Sequence, residues 1–156
     1  MKIIILLLTL LTLVSPQALA LDIGSKSPNL FGRTLDGKLF RLSDKTGPVV
    51  LNFFWVECKP CVKEMPELAS LGLKHPKIEM ISVHVEDEER STVQDFINRL
   101  PAHPKTIVTA SPAVKDAFDI RGLPHTVVIN KGKVELVVEG YTEKSFSALK
   151  RHMSTM

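Results

Sequence analysis

Two cysteines, spaced as Cys58-Lys59-Pro60-Cys61, are the residues of this 156-residue chain with the clearest capacity for chemistry, and the chain has no others. Such a pair can be half of a zinc site, a structural disulfide, or a dithiol that exchanges disulfides with another molecule. Zinc needs two further ligands, and none of the five histidines forms a close pair with another. A disulfide that closes so short a loop restrains the unfolded chain little. Disulfide exchange is therefore the favoured chemistry.

The residues around the pair predict that it lies where a buried strand meets a helix. The apolar run 49–54 predicts the strand. Three apolar residues after the cysteines have helical spacing: Val62, Met65 and Leu68. Cys58 is then at or near the helix N-cap, where unpaired amides and the helix dipole favour an anion. Because the thiolate is the nucleophile, we predict that Cys58 attacks and that Cys61, in the first turn, resolves.

The first twenty residues have the pattern of a secretory signal peptide. Lys2 is followed by the apolar segment 3–14, and Ala18-Leu19-Ala20 matches a small-residue cleavage site. Twelve apolar residues are few for a bilayer span, so an uncleaved N-terminal anchor is the less favoured alternative. We predict export, with residues 21–156 forming one mature domain. The cysteines would then work in an oxidising compartment.

The charge of the mature segment is small. Without Lys2, 19 basic residues stand against 17 acidic ones, a net charge of +2. This balance gives no case for nucleic-acid binding. The only charge run, 86–89, is predicted to be a solvated loop that leads into a helix.

Periodicity and turn signals predict an α/β fold in which helices cover a mixed sheet. The predicted strands are the two arms of a hairpin around Asp36-Gly37, then 49–55, 78–85, 106–108, 126–129 and 134–138. One helix follows the cysteines and another begins near Glu143. Between them, Ser91 to Gln94 has capping-box spacing for a helix over 91–100, and Ser111 is a predicted N-cap before Pro112.

Four segments carry a family resemblance that extends over nearly the whole mature chain. They are Val49 to Trp55, Cys58 to Cys61, Lys63 to Pro66, and Phe118 to Pro124. They resemble the thioredoxin superfamily and, within it, the exported TlpA/ResA-like thiol–disulfide oxidoreductases, a group that includes cytochrome c maturation proteins. The resemblance implies a thioredoxin-like mixed sheet flanked by helices, with an N-terminal β-hairpin. It also implies a central helical insertion, between residues 85 and 106, that plain thioredoxin lacks.

The same resemblance implies roles for residues beside the cysteines. Leu123-Pro124 is expected to be a cis peptide packed against the disulfide, which leaves the preceding carbonyl free to bind a substrate's backbone. Glu64 is expected to exchange protons with the resolving thiol, in place of a strand aspartate for which this chain has Asn52. The alternative for Glu64 is an exposed helix glutamate that makes surface pairs.

Two positions depart from the family pattern. Glu57 precedes the first cysteine, where tryptophan is usual, and Trp55 lies two residues earlier. A carboxylate there disfavours the Cys58 thiolate and so favours a more reducing couple. His125 follows Pro124, where threonine is commoner. It is either a substrate contact that titrates near neutral pH or a polar residue at a strand start.

The predicted function is an exported thiol–disulfide oxidoreductase that reduces partner proteins such as an apocytochrome c. Leu123, Trp55, Glu57 and His125 are the predicted substrate-binding residues. The resemblance implies a membrane thiol donor and no cofactor beyond the cysteine pair, and we expect a monomer. The alternatives are an oxidase, a redox-silent binding domain, and a copper(I) carrier that uses the cysteines and His84. Met65 and Met80 are predicted core residues.

Overall fold

A seven-stranded mixed sheet organises residues 21–156, the part of the chain that this computed structural model describes. The predicted signal segment, residues 1–20, lies outside the described residues. The strands are β1 (Phe31–Thr34), β2 (Leu39–Arg41), β3 (Val49–Phe54), β4 (Glu79–His84), β5 (Thr106–Ala110), β6 (His125–Asn130) and β7 (Lys133–Glu139). The helices are α1 (Lys59–Lys74), α2 (Arg90–Arg99), α3 (Val114–Ala117) and α4 (Glu143–Met153), with a short 3₁₀ helix at Leu42–Asp44.

The strand order is β2-β1-β5-β4-β3-β6-β7, with β3 between parallel β4 and antiparallel β6. All six residues of β3 are buried, because both faces of the sheet are covered there. Val50 and Phe54 share core clusters with residues of α1, α2 and α4, and Leu51 and Phe53 share one with Leu30, Leu42 and Phe118. Parallel neighbours need crossover connections, which α1 and α2 supply. The predicted thioredoxin-like class, with an N-terminal hairpin and a helical insertion, is confirmed. The central strand ends four residues before Cys58.

The N-terminal hairpin pairs with the sheet through β1, which runs antiparallel to β5. Its turn contains Gly37 at a φ of 86°, a conformation that favours glycine. Gly32 in β1 is required for a different reason. A Cβ there would lie 2.5 Å from the side chain of Val108 and 2.6 Å from the carbonyl of Thr109. The hairpin therefore packs against β5 at a distance that only glycine permits.

The start of α2 differs from the capping-box prediction. The helix begins at Arg90, and the N-cap is Glu89, whose side chain makes no capping hydrogen bond. The amides of Thr92 and Val93 already bond to the Glu89 carbonyl, so Ser91 lies inside the helix and cannot cap it. The predicted buried face is present, with Val93, Phe96 and Ile97 in the core.

The helix predicted from Ser111 begins three residues later. Residues 111–113 form a turn in which the amide of Val114 bonds to the Ser111 carbonyl, and α3 is a single turn from Val114. The Ser111 side chain accepts a hydrogen bond of 3.4 Å from the amide of Ala113, so Ser111 caps this turn, and the N-cap of α3 itself is Ala113. Phe118, after the helix, is fully buried.

Helix α1 buries two of the three residues of the predicted stripe, Met65 and Leu68, and Cys61 takes the place of Val62 in the core. Val62 is 41% exposed, whereas Cys61, Met65 and Leu68 have no exposed surface. Met80 is also buried, so both predicted core methionines are in the core. Within residues 21–156, no helix has the length and apolar character needed to cross a membrane.

Candidate active site

Cys58 and Cys61 form a disulfide at the N-terminus of α1. Cys58 is the N-cap residue, and its Sγ accepts a hydrogen bond of 3.2 Å from the amide of Cys61. The residue is 8% exposed, while Cys61 is fully buried. A nucleophile arriving from solvent therefore meets Cys58 Sγ first. In the reduced protein the same amide and the helix dipole would stabilise a thiolate on Cys58.

Cys58 borders an open groove with a volume of about 680 Å³. One wall is the junction of β3 with α1, and the other is the segment that leads to β6. The lining residues from the predicted site are Trp55, Glu57, Cys58 and Leu123. Leu123 and Trp55 also pack against the apolar cluster that contains both cysteines. Pro124 and His125 do not line this groove.

The peptide bond between Leu123 and Pro124 is cis. Pro124 is buried, and its carbonyl accepts a hydrogen bond of 2.8 Å from the amide of Gly140. Within residues 21–156, the Leu123 carbonyl accepts no hydrogen bond from backbone or side chain. This acceptor at the groove is thus available to the backbone of a bound chain.

Glu64 belongs to a buried polar row beneath α1. Its carboxylate accepts hydrogen bonds from Asn52 Nδ2 at 2.7 Å and from Thr126 Oγ1 at 3.4 Å. Asn52 in turn accepts from Ser82 Oγ at 3.5 Å. Neighbouring positions in the strand register hold Ser82 on β4, Asn52 on β3 and Thr126 on β6. The row therefore crosses the centre of the sheet directly under the helix that carries the cysteines.

Burial raises the pKa of Glu64 from 4.5 to about 7, although the hydrogen bonds from Asn52 and Thr126 lower it. The residue is 1% exposed, so the alternative of a surface glutamate is wrong. It follows Cys61 by three positions on α1, a spacing that places two side chains on one helix face. A carboxyl group that titrates near neutral pH is thus held on the face that buries Cys61.

The acidic run 86–89 is less solvated than the sequence predicts. Asp87 and Glu89 are exposed, but Glu86 forms an ion pair of 2.7 Å with Lys115. Glu88 accepts a hydrogen bond from the indole Nε1 of Trp55. Sequence reasoning missed Glu88 as a site residue. The available signal was its place just after the predicted strand 78–85, but the sequence pattern does not show which strand lies beside that one.

His84 is fully buried at the end of β4, in edge contact with the ring of Phe54 at 5.5 Å. Its Nε2 lies 2.8 Å from Glu88 Oε2, and burial lowers its pKa more than the nearby carboxylates raise it. Within residues 21–156, no three His, Cys, Asp or Glu side chains cluster as a metal site would require. His84 and the cysteine pair are not brought together as copper ligands.

His125 opens β6 as predicted, but it is only 1% exposed. Its ring packs against Phe53 at 6.0 Å, on the sheet face opposite Thr126, because successive strand residues alternate. Among the described residues, 21–156, neither ring nitrogen has a hydrogen-bond partner, and burial lowers the pKa of His125. The structure places His125 in the core beside the site and not on the groove wall.

A disulfide at the start of the helix after the central strand, opposite a cis-proline that leads into the next antiparallel strand, defines a thiol–disulfide exchange protein of thioredoxin-like fold. The chain belongs to the AhpC/TSA family, whose profile matches residues 23–137.

Relatives with known names support the narrower resemblance to the TlpA/ResA group. The chain is 36% identical over 127 residues to the thiol-disulfide oxidoreductase ResA of Bacillus subtilis (strain 168), covering 78% of this chain and 70% of that protein. It is 31% identical over 141 residues to ResA of Geobacillus thermodenitrificans (strain NG80-2), covering 88% and 79%. The chain is therefore a thiol–disulfide oxidoreductase, as the sequence predicts.

Solved structures share the fold. The thioredoxin domain of a thiol-disulfide oxidoreductase from Bacteroides vulgatus superimposes with a TM-score of 0.74 at 20% identity, covering 86% of this chain and 99% of that one. A thiol:disulfide interchange protein from Chlorobium tepidum TLS gives a TM-score of 0.67 at 24% identity, covering 85% and 97%. At these identities the likeness concerns the architecture.

Proposed function

We propose that this chain reduces disulfide bonds in partner proteins. In the reduced form, the Cys58 thiolate attacks one sulfur of the partner's disulfide, and the partner's other sulfur leaves as a thiolate that takes up a proton. The Cys61 thiolate then attacks Cys58 Sγ in the mixed disulfide. The partner leaves with two thiols, having gained two electrons, and the Cys58–Cys61 disulfide remains.

The unequal burial of the two sulfurs carries this assignment. Cys58 lines the groove and is 8% exposed, whereas Cys61 has no exposed surface and lies on the helix face that also buries Glu64. An outer sulfur can reach a partner, and an inner one can be reached only by its neighbour. With a pKa of about 7, Glu64 is suited to accept the Cys61 proton when that thiol becomes the attacking group.

The direction of exchange is proposed from Glu57. This exposed carboxylate precedes Cys58 and disfavours a negative charge on its sulfur, which makes the reduced form a stronger reductant. A reductase must be recharged, and we assign this to a membrane thiol donor, with export of residues 21–156 as a monomer. The cysteine pair carries both electrons, so no organic cofactor is required. The free Leu123 carbonyl and the Trp55 wall suit an extended protein segment such as that of an apocytochrome c.

Trapping tests the assignment of the two sulfurs. A reduced Cys61→Ser variant, mixed with a peptide that contains a disulfide, should accumulate a mixed disulfide through Cys58 that mass spectrometry identifies. The matched Cys58→Ser variant should trap far less, because its remaining sulfur is buried. Equal trapping by both variants, or by neither, would contradict the proposal.

Equilibration with glutathione tests the direction. A reductase should have a potential near that of thioredoxin, about −270 mV, and an oxidase one near that of DsbA, about −120 mV. The second result would reverse the proposed direction and leave the assignment of the sulfurs intact.

A further inference from the structure

Glu88 joins two residues that leave the sheet side by side. Phe54, the last residue of β3, pairs with His84, the last residue of β4. The chain continues from Phe54 into Trp55, and from His84 into the loop that carries Glu88. The two segments stay together beyond the sheet, since the amide of Val85 bonds to the Phe54 carbonyl at 3.3 Å.

The two carboxylate oxygens of Glu88 face different residues. Oε1 accepts the hydrogen bond from Trp55 Nε1, and Oε2 lies 2.8 Å from His84 Nε2, a close contact without hydrogen-bond geometry. The histidine is fully buried and packed against Phe54, so one side of the carboxylate rests on a rigid group. The other side holds the indole, which is half-buried and forms part of the groove wall beside Cys58.

We infer that Glu88 is a positioning residue for disulfide exchange: its carboxylate fixes the indole of Trp55 on the wall of the groove that receives the partner's disulfide-bearing segment. Glu88 lies at the start of the central insertion, residues 86–105. The insertion thereby contributes to partner binding through one side chain that touches neither cysteine. This inference rests on the proposed function, because it concerns how a protein partner is held.

A comparison of two substrates tests the inference. Glu88→Ala removes the acceptor of the indole N–H, and we expect the KM for a disulfide-bearing peptide to rise about fivefold, with kcat nearly unchanged. The rate with bis(2-hydroxyethyl) disulfide, which is too small to need the wall, should stay at the wild-type value. Glu88→Gln keeps an oxygen that can accept from the indole and should restore the KM. Glu89→Ala, which removes an adjacent exposed carboxylate, should have no effect.

Fluorescence reports on the contact directly, because Trp55 is the chain's only tryptophan. Emission should shift to longer wavelength in Glu88→Ala and stay at the wild-type position in Glu88→Gln and Glu89→Ala. Trp55→Phe should raise the peptide KM as much as Glu88→Ala does, and the double variant should show no additional rise. If Glu88→Ala does not fold, the peptide KM of Trp55→Phe still tests whether the indole on the groove wall contributes to partner binding.

Two results would overturn the inference. One is a wild-type KM and emission in Glu88→Ala, and the other is an equal loss of rate with both substrates, which would indicate a purely structural role. Failure of the proposed function looks different. In that case wild-type protein would not reduce the peptide at all, while the fluorescence of the variants would still report whether Glu88 fixes Trp55.

Discussion

Asn52 donates a 2.7 Å hydrogen bond from the central strand to Glu64 on the helix above it, and both side chains are buried. The hydrogen bond lowers the pKa of the carboxyl group, but burial raises it further, to about 7. A neutral amide leaves the charge of an ionised Glu64 uncompensated. The site therefore holds a carboxyl group that can gain or lose a proton near physiological pH.

Glu64→Gln should change how stability depends on pH. In the wild type the folded pKa, about 7, exceeds the ordinary 4.5, so the folded chain binds more protons than the unfolded chain between these values. This contribution to stability is fully present below pH 4.5 and is lost as pH rises through 7. Relative to the variant, the oxidised wild type should lose about 3 kcal/mol between pH 4.5 and pH 8. Urea unfolding of both proteins measures the difference, and parallel curves would contradict it.

Asn52→Leu should shift to higher pH the range over which the stability contribution of Glu64 is lost. It removes a hydrogen bond that favours ionised Glu64, so the pKa of Glu64 should rise above about 7. The decrease in stability should then extend to higher pH than in the wild type. Ser82→Ala is the matched control, because Ser82 bonds to Asn52 and not to Glu64. NMR titration of the Glu64 carboxyl carbon in the wild type and both variants measures its pKa in each protein. An unchanged or lower pKa in Asn52→Leu would refute the prediction.

His125→Leu should reduce the loss of stability in acid. Burial lowers the folded pKa of His125 below 6.5, so the unfolded chain binds more protons as pH falls. The stabilising contribution is present above pH 6.5 and is lost below it. The wild type should lose more stability than the variant between pH 7 and pH 5, as urea midpoints at both pH values will show. Burial also lowers the pKa of His84, so His84 should account for acid sensitivity that persists in the variant.

Glu57→Gln should make the protein a weaker reductant. Removal of the carboxylate beside Cys58 favours the thiolate, and stabilising the reduced form raises the reduction potential, by about 5 to 20 mV for an exposed charge. Lys59→Gln removes the opposite charge on the other side of Cys58 and should lower the potential. Equilibration of each variant with glutathione measures both shifts. Shifts of the same sign in the two variants would show that local charge does not determine the reduction potential of the cysteine pair.

Structural elements that depend on short-range sequence patterns were predictable from the sequence. The strand before Cys58, the start of α1 and the turn before β7 all depend on local spacing and turn chemistry, and they appear as expected. Two helix starts differ from the prediction: Ser111 caps a turn that precedes α3, and the cap proposed at Ser91 fails because another residue holds the nearby amides. At Ser91 the Glu89 carbonyl already holds them, and no local pattern shows which acceptor succeeds.

Burial of polar side chains was the part that sequence could not provide. Glu64 and His125 are polar types that usually lie at the surface, and only the packing of α1 over the sheet and of Phe53 against β6 buries them. The contact from Trp55 to Glu88 spans 33 positions. It depends on β3 and β4 ending at the same level of the sheet, a register that the sequence pattern leaves undetermined.

The two outer strands of the sheet are poorly suited to pair with an additional strand. An open sheet edge can recruit any extended chain, and the proposed function would bring extended segments of other proteins close to this sheet. Here the outer strands are β2, only three residues long, and β7, which carries Lys133, Glu135 and Glu139. Short length and charge make both borders poor templates for unwanted pairing. Under the proposed function, partner proteins would then bind at the groove and not at an edge of the sheet.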